Sequence, residues 1–204
     1  MTIEAPKNQI EMMVVIPNNI LVAYNEPHRF YHNLEHLHYM INRLMVLFPY
    51  LTKEMLDAII WALYYHDYIY NIPGGPVSNE RMSAECWMDD HGDHRFANEI
   101  FDTIIATETH ILPKDLDLEC YYGRIVSHVI DLDLWALSDE AAYIINNERI
   151  KTEVGATDEQ WIEGRGNWLE NFLQRDQIYY TEIGKTREAE ARRILEADLK
   201  ALRG

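Results

Sequence analysis

The run from Met55 to Asp67 constrains this chain most. Met55, Leu56, Ile59, Ile60, Leu63 and Tyr64 recur at helical spacing, and the run ends in the adjacent pair His66-Asp67. An imidazole and a carboxylate carried on so apolar a helix are costly to bury unless something compensates them. A divalent cation held by imidazole nitrogen and carboxylate oxygen would do so. Two further stretches have the residue types to complete such a shell: Tyr31-His32-Asn33-Leu34-Glu35-His36, and Ile130-Asp131-Leu132-Asp133-Leu134-Trp135.

The rest of the chain repeats the helical period. Residues 9–24 read as a first helix weakened by Pro17, and residues 31–48 as a second that Pro49 ends. Thr52 is the expected N-cap of the helix that carries His66-Asp67. Residues 71–77, rich in Gly and Pro, form the clearest loop. Ser78 is expected to cap a helix to about Asp90, with Gly92 closing it. Helices are also expected over 96–107 and 117–137, and from Ser138-Asp139-Glu140. Thr157-Asp158-Glu159-Gln160 spells a capping box, and Gly184 precedes a last helix with Ala191, Ile194, Leu195, Leu199 and Leu202 inward. No alternating, valine-rich strand and no internal repeat is evident. The expected fold is all-α, one compact helical bundle over residues 1–204, with the metal site within about 29–137 and helices of 138–204 packing on it.

Bulk properties narrow the function. A formal net charge of −16 repels nucleic-acid backbones, so a nucleic-acid polymer is not an expected partner. A small anionic substrate is compatible with that charge, because a bound cation reverses the local potential. There is no apolar run long enough to span a bilayer and no secretory pattern at the N-terminus, which gives the cytoplasm as the expected location and no membrane partner. Cys86 and Cys120 make neither a disulfide framework nor a metal knuckle and are expected as buried thiols. The Tyr- and Trp-rich surface is compatible with a homodimer.

His32 and His36 lie four apart, which places both on one helix face. Either the first meets substrate while the second holds metal, or both are ligands. Asp131 and Asp133 sit in apolar surroundings and need partners. Taken together, His36, the His66-Asp67 doublet and a distant Asp, all on helices, resemble the HD superfamily of metal-dependent phosphohydrolases. The resemblance covers roughly residues 29–202. It is closest to a small bacterial branch similar in Arg29-Phe30-Tyr31-His32-Asn33-Leu34-Glu35-His36, Asn79-Glu80…Ser83-Ala84, Thr107…His110, Asp131-Leu132-Asp133-Leu134 and Ile178-Tyr179…Thr181. It implies His36, His66, Asp67 and Asp133 as ligands, with Asp131 behind them or as the alternative fourth. Tyr31-His32-Asn33…His36 also resembles the opening motif of cyclic-nucleotide phosphodiesterases, without the remainder of their second metal shell.

On this reading the chain hydrolyses a small phosphoester, a nucleotide or related metabolite, with a divalent ion (Mn, Fe, Co, Ni, Zn or Mg). His32 or His110 is then the candidate general acid, and Glu80 the group orienting the attacking water. Arg29 is the candidate phosphate clamp, and Tyr68 or Tyr70 the candidate stacking surface for a base. Two other readings stand beside it. A di-iron oxygenase of HD type would recruit extra histidines from His91, His94 and His110, and a non-catalytic helical binding module would carry only a relic site.

Overall fold

The computed structural model describes residues 15–204. They contain ten helices, one short 3-10 segment and no strand. The helices are α1 (Asn18–Ala23), α2 (Leu34–Leu47), α3 (Lys53–Tyr65), α4 (Asn79–His91), α5 (Ala97–Ala106), α6 (Tyr121–Asp133), α7 (Glu140–Glu153), α8 (Asp158–Phe172), α9 (Glu182–Lys185) and α10 (Glu188–Arg203). The 3-10 segment, Leu134–Ser138, follows α6. The all-α expectation holds. No helix of the described residues is long and apolar enough to cross a membrane.

Local chemistry sets the helix starts. The hydroxyls of Thr52 and Ser78 accept from the backbone N–H of Met55 and Arg81, and Asp139 accepts from Ala142. Thr157 and Gln160 close their capping box reciprocally. Asn33 caps α2 by accepting from Glu35 N–H at 2.8 Å, which puts His36 in that helix's first turn.

Two apolar clusters fill the interior. The larger joins α1 to α6 through Ile20, Leu37, Leu44, Ile59, Leu63, Ile100 and Val129. The second joins α6 to the C-terminal helices through Val126, Ile130, Tyr143, Leu169, Ile194 and Leu195. Thus α6 is buried on two sides, with Ile125, Val129 and Leu132 facing one cluster and Val126 and Ile130 the other.

Several expectations shift. The part of the first expected helix before residue 15 lies outside the described residues; the described part starts just after Pro17, which serves as its N-cap rather than interrupting it. α6 starts at Tyr121, not near 117, because the preceding turn folds across it: a Cβ on Gly123 would lie 2.1 Å from the Asp117 carbonyl oxygen. α6 ends at Asp133 and tightens into the 3-10 segment. Gly184 lies inside α9, where a Cβ would sit 2.1 Å from Asp131 Oδ2. The cysteines are not buried thiols: Cys86 is half-buried, and Cys120 is exposed and caps α6 by accepting from Gly123 N–H.

Candidate metal centre

Helix ends bring the site together. His36 comes from the first turn of α2, His66 and Asp67 from the C-terminal end of α3, and Asp133 is the last residue of α6. One ligand atom each from His36, His66 and Asp67 lie within 4.8 Å of one another, and all three residues are buried. Asp67 Oδ2 stands 2.9 Å from His66 Nε2 and 3.9 Å from His36 Nε2. Nevertheless His36 Nε2, His66 Nε2 and Asp67 Oδ2 are all buried without a hydrogen-bond partner. Atoms this close that fail to bond one another are misaligned for a hydrogen bond, and buried polar atoms are rarely left so. Three at one point are what a cation site needs. The donor set, two imidazoles and a carboxylate, suits a divalent ion, so the group His36-His66-Asp67 fits one.

The surroundings orient these atoms. His66 Nδ1 lies 2.8 Å from the Leu63 carbonyl, which can only accept. The proton is therefore on Nδ1 in the neutral ring, and Nε2 keeps its lone pair for the centre. Asp133 lies beside the trio, with Oδ1 3.2 Å from His36 Nε2 and Oδ2 accepting from His110 Nε2 at 2.7 Å. His110 adopts φ 54°, unusual for a non-glycine residue, and its carbonyl accepts from Tyr180 OH at 3.3 Å and Arg175 Nη1 at 3.4 Å. Contacts from the C-terminal segment thus pin the turn that presents His110.

Burial alone would lower the His66 pKa, but Asp67 beside it and Asp133 outweigh that and push it up to about 9. Burial alone would raise Asp67, yet His66 and His32 hold it well below the usual carboxylate range. Proton and cation therefore compete for His66 Nε2. Uptake of a divalent ion at pH 7 is expected to release about one proton from His66, and affinity to rise by up to ~10-fold per pH unit before levelling near 9. Calorimetry in buffers of different ionisation enthalpy checks it; uptake without proton release between pH 6 and 8 would contradict it. For the metal-free fold the sign is opposite. A histidine whose pKa is raised above its ordinary value adds stability below about 6.5, and loses it as pH rises through about 9.

A cavity of about 580 Å³ opens onto the centre and is lined by His32, Asp67, Tyr70, Glu80, His110 and Asp133, with α7 and α8 forming a further wall. Residues 138–204 thus do more than pack behind the site. His32 is braced from α7: its Nδ1 lies 2.5 Å from Glu153 Oε1, while Glu153 Oε2 accepts from the backbone N–H of Tyr31 and His32. Its ring stacks on Tyr70 with centroids 4.1 Å apart. Burial alone would lower the His32 pKa, but Asp67 and Glu153 together raise it. Burial also raises Glu80. Glu153 had no signal in the sequence. It lies 121 positions from its partner, at the C-terminal end of α7, a mostly polar helix whose pattern marks no inward face.

No family model, curated protein or solved structure matches this chain.

Several expected site residues lie elsewhere. The Arg29 side chain is fully enclosed: Nη1 donates to the Asp67 carbonyl at 2.6 Å, Nη2 to the Tyr68 carbonyl at 2.9 Å, and Nε to Glu26 at 2.8 Å. Its donors are spent on the Asp67 and Tyr68 carbonyls and on Glu26, so it is no free phosphate clamp. Tyr68 packs on Tyr65 in the larger cluster, and Tyr70 lines the cavity in its place. Asp131 is neither a ligand nor behind one. Its carboxylate accepts from the backbone of Tyr180 and Thr181 at 2.7 and 2.8 Å and from the Thr181 hydroxyl at 2.6 Å. Two residues on a helix turn through about 200°, so Asp131 and Asp133 face away from each other. His91 and His94 lie away from this centre. His91 packs against Trp61 and Trp87, and His94 lies 3.1 Å from Asp57, over two helical turns before His66 on α3.

Proposed function

We propose that this chain is a metal-dependent phosphohydrolase of HD type, acting on a small phosphoester. The carrying observation is the convergence of three unpartnered buried atoms, His36 Nε2, His66 Nε2 and Asp67 Oδ2, at the edge of a cavity that also holds His32, Glu80 and His110. Asp133 is the proposed fourth ligand, from its place against His36. A divalent ion held there supplies Lewis acidity toward a phosphoryl oxygen and neutralises its charge.

The chain's own groups supply the proton transfers. Glu153 holds His32 through Nδ1 and thereby leaves Nε2 to face the cavity. With its pKa raised by Asp67 and Glu153, His32 is the proposed proton donor to the leaving oxygen as the bond from phosphorus to that oxygen breaks. Glu80, its pKa raised by partial burial, is the proposed group that holds the attacking water and takes its proton. His110, through Asp133, fixes the carboxylate on the other side of His36.

Of the three histidines that a di-iron oxygenase would recruit, only His110 reaches this centre, so the hydrolase is favoured. The test is metal analysis of the purified chain, followed by phosphate release from a panel of phosphomonoesters with Mn, Fe, Co, Ni, Zn and Mg. Release with at least one metal, lost on chelation, is the expected result. Bound metal with no ester cleaved would overturn it. A chain that takes up no metal would be the non-catalytic module.

A further inference from the structure

Two features visible in the sequence take no part in the site as described: the buried carboxylate of Asp131, and the segment Ile178-Tyr179-Tyr180-Thr181. The structure joins them. Residues 178–181 are buried outside any helix or strand, so their backbone N–H groups need acceptors from elsewhere. Two carboxylates provide them. Glu188 accepts from Ile178 and Tyr179, at 2.9 and 3.2 Å, and Asp131 accepts from Tyr180 and Thr181, at 2.7 and 2.8 Å. The Thr181 hydroxyl also donates to Asp131, at 2.6 Å. Asp131 touches none of the proposed ligands, yet it ties this strap to α6, the helix whose last residue is Asp133.

The strap in turn reaches both sides of Asp133. Tyr179 OH donates to the Leu134 carbonyl at 3.0 Å, which fixes the backbone just past the ligand. Tyr180 OH donates to the His110 carbonyl at 3.3 Å and accepts from the Leu112 N–H at 3.4 Å. These contacts bracket the backbone at φ 54°, a left-handed turn that is unfavourable for a residue with a Cβ. Arg175 adds a donor to the same carbonyl at 3.4 Å and one to the Thr109 carbonyl at 2.8 Å. Held in that turn, His110 places Nε2 2.7 Å from Asp133 Oδ2, while Oδ1 of the same carboxylate stands 3.2 Å from His36 Nε2. The last torsion of an aspartate is soft, so a hydrogen bond to one oxygen decides where the other points. The contacts thus run from Asp131 through the strap to Tyr180, His110 and Asp133, and return to the helix on which they began.

Resting on the metal centre of the phosphohydrolase reading above, we infer that Tyr180 is a positioning residue for that centre: held by Asp131, it fixes the turn of His110, and His110 aims the Asp133 carboxylate at the cation.

Manganese titrations of the full, metal-free chain, read from the paramagnetic signal of the free ion, test this with Tyr180→Phe, His110→Asn and the double variant. Phenylalanine keeps the ring in the second apolar cluster and removes only the hydroxyl. Asparagine tolerates the left-handed turn but ends short of the place of Nε2. Arg175 still meets the 110 carbonyl in each variant, so all three should fold, which melting of the metal-free chains checks. A group that supports a ligand directly is worth ~10–100-fold in metal affinity, so His110→Asn should weaken manganese by at least ~10-fold and Tyr180→Phe, one contact further out, by about fivefold. If Tyr180 acts through His110, Tyr180→Phe should weaken the His110→Asn chain by less than about twofold. A loss below about twofold in the parent chain, or the same loss in both backgrounds, would overturn the inference, since a purely structural tyrosine gives one or the other. Phosphate release followed in parallel keeps the two readings apart. The expected coupling without release from any ester would keep the role of Tyr180 and end the hydrolase reading, and release without the coupling would do the reverse. A parent chain that binds no manganese would overturn the inference outright.

Discussion

Asp67→Ala is expected to remove both metal retention and phosphate release while leaving the helices folded. Asp67 Oδ2 has no hydrogen-bond partner, and no hydrogen bond of the fold runs through this carboxylate among the described residues. The two apolar clusters that hold the helices do not depend on it. What it offers is one of three converging donor atoms. Even groups that only support a ligand are worth ~10–100-fold in metal affinity, so loss of a ligand itself should cost at least ~100-fold. Phosphate release should fall by a factor on the order of 10³, as when a group that stabilises transition-state charge is removed. The clearest readout is thermal. Metal at a hundred times its Kd should stabilise the parent chain by about 2.7 kcal/mol, and the same addition should leave Asp67→Ala unmoved. An Asp67→Ala chain that still gains stability with metal and still releases phosphate would place the centre elsewhere.

Arg29→Met is expected to cost about 3–5 kcal/mol of folding stability, through lost charged hydrogen bonds and stranded carbonyls. The guanidinium sits past the C-terminal end of α3, where a cation is favoured, and ties the carbonyls of Asp67 and Tyr68 to the turn before α2. Methionine fills the space but leaves two carbonyls without donors. Arg29→Lys should be intermediate, because one ammonium cannot span both carbonyls in the fork geometry. A urea melt measures the loss. If Arg29→Met melts like the parent chain and only raises KM, the side chain is a substrate contact after all.

Arg29 also shows why some of the site was hidden in the sequence. A charge beside a turn is visible there, but not whether backbone encloses it. The doublet was legible because its helix announced itself: six apolar residues at helical spacing and a threonine cap point to a buried end at His66-Asp67. The helical period also requires Asp131 and Asp133 to diverge. Which of them faces the centre depends on which side of α6 meets which cluster, a fact of tertiary packing. Tyr68 and Tyr70 differ in the same way, both lying within three residues of the doublet but on different sides of the chain after α3 ends. Glu153 and the α8 wall lay furthest from view, because their relation to His32 and the cavity arises only when the C-terminal helices dock.

The docking itself has a cost for anyone who would cut the molecule. Since α6 presents Val126 and Ile130 to the C-terminal helices, severing the chain after Ser138 would bare that greasy flank on the very rod whose tip is Asp133. The fragment bearing all four proposed ligands would lose its brace on His32 and its anchor at Thr181 in the same stroke. The candidate ion site and the chamber above it consequently depend on one indivisible piece of protein.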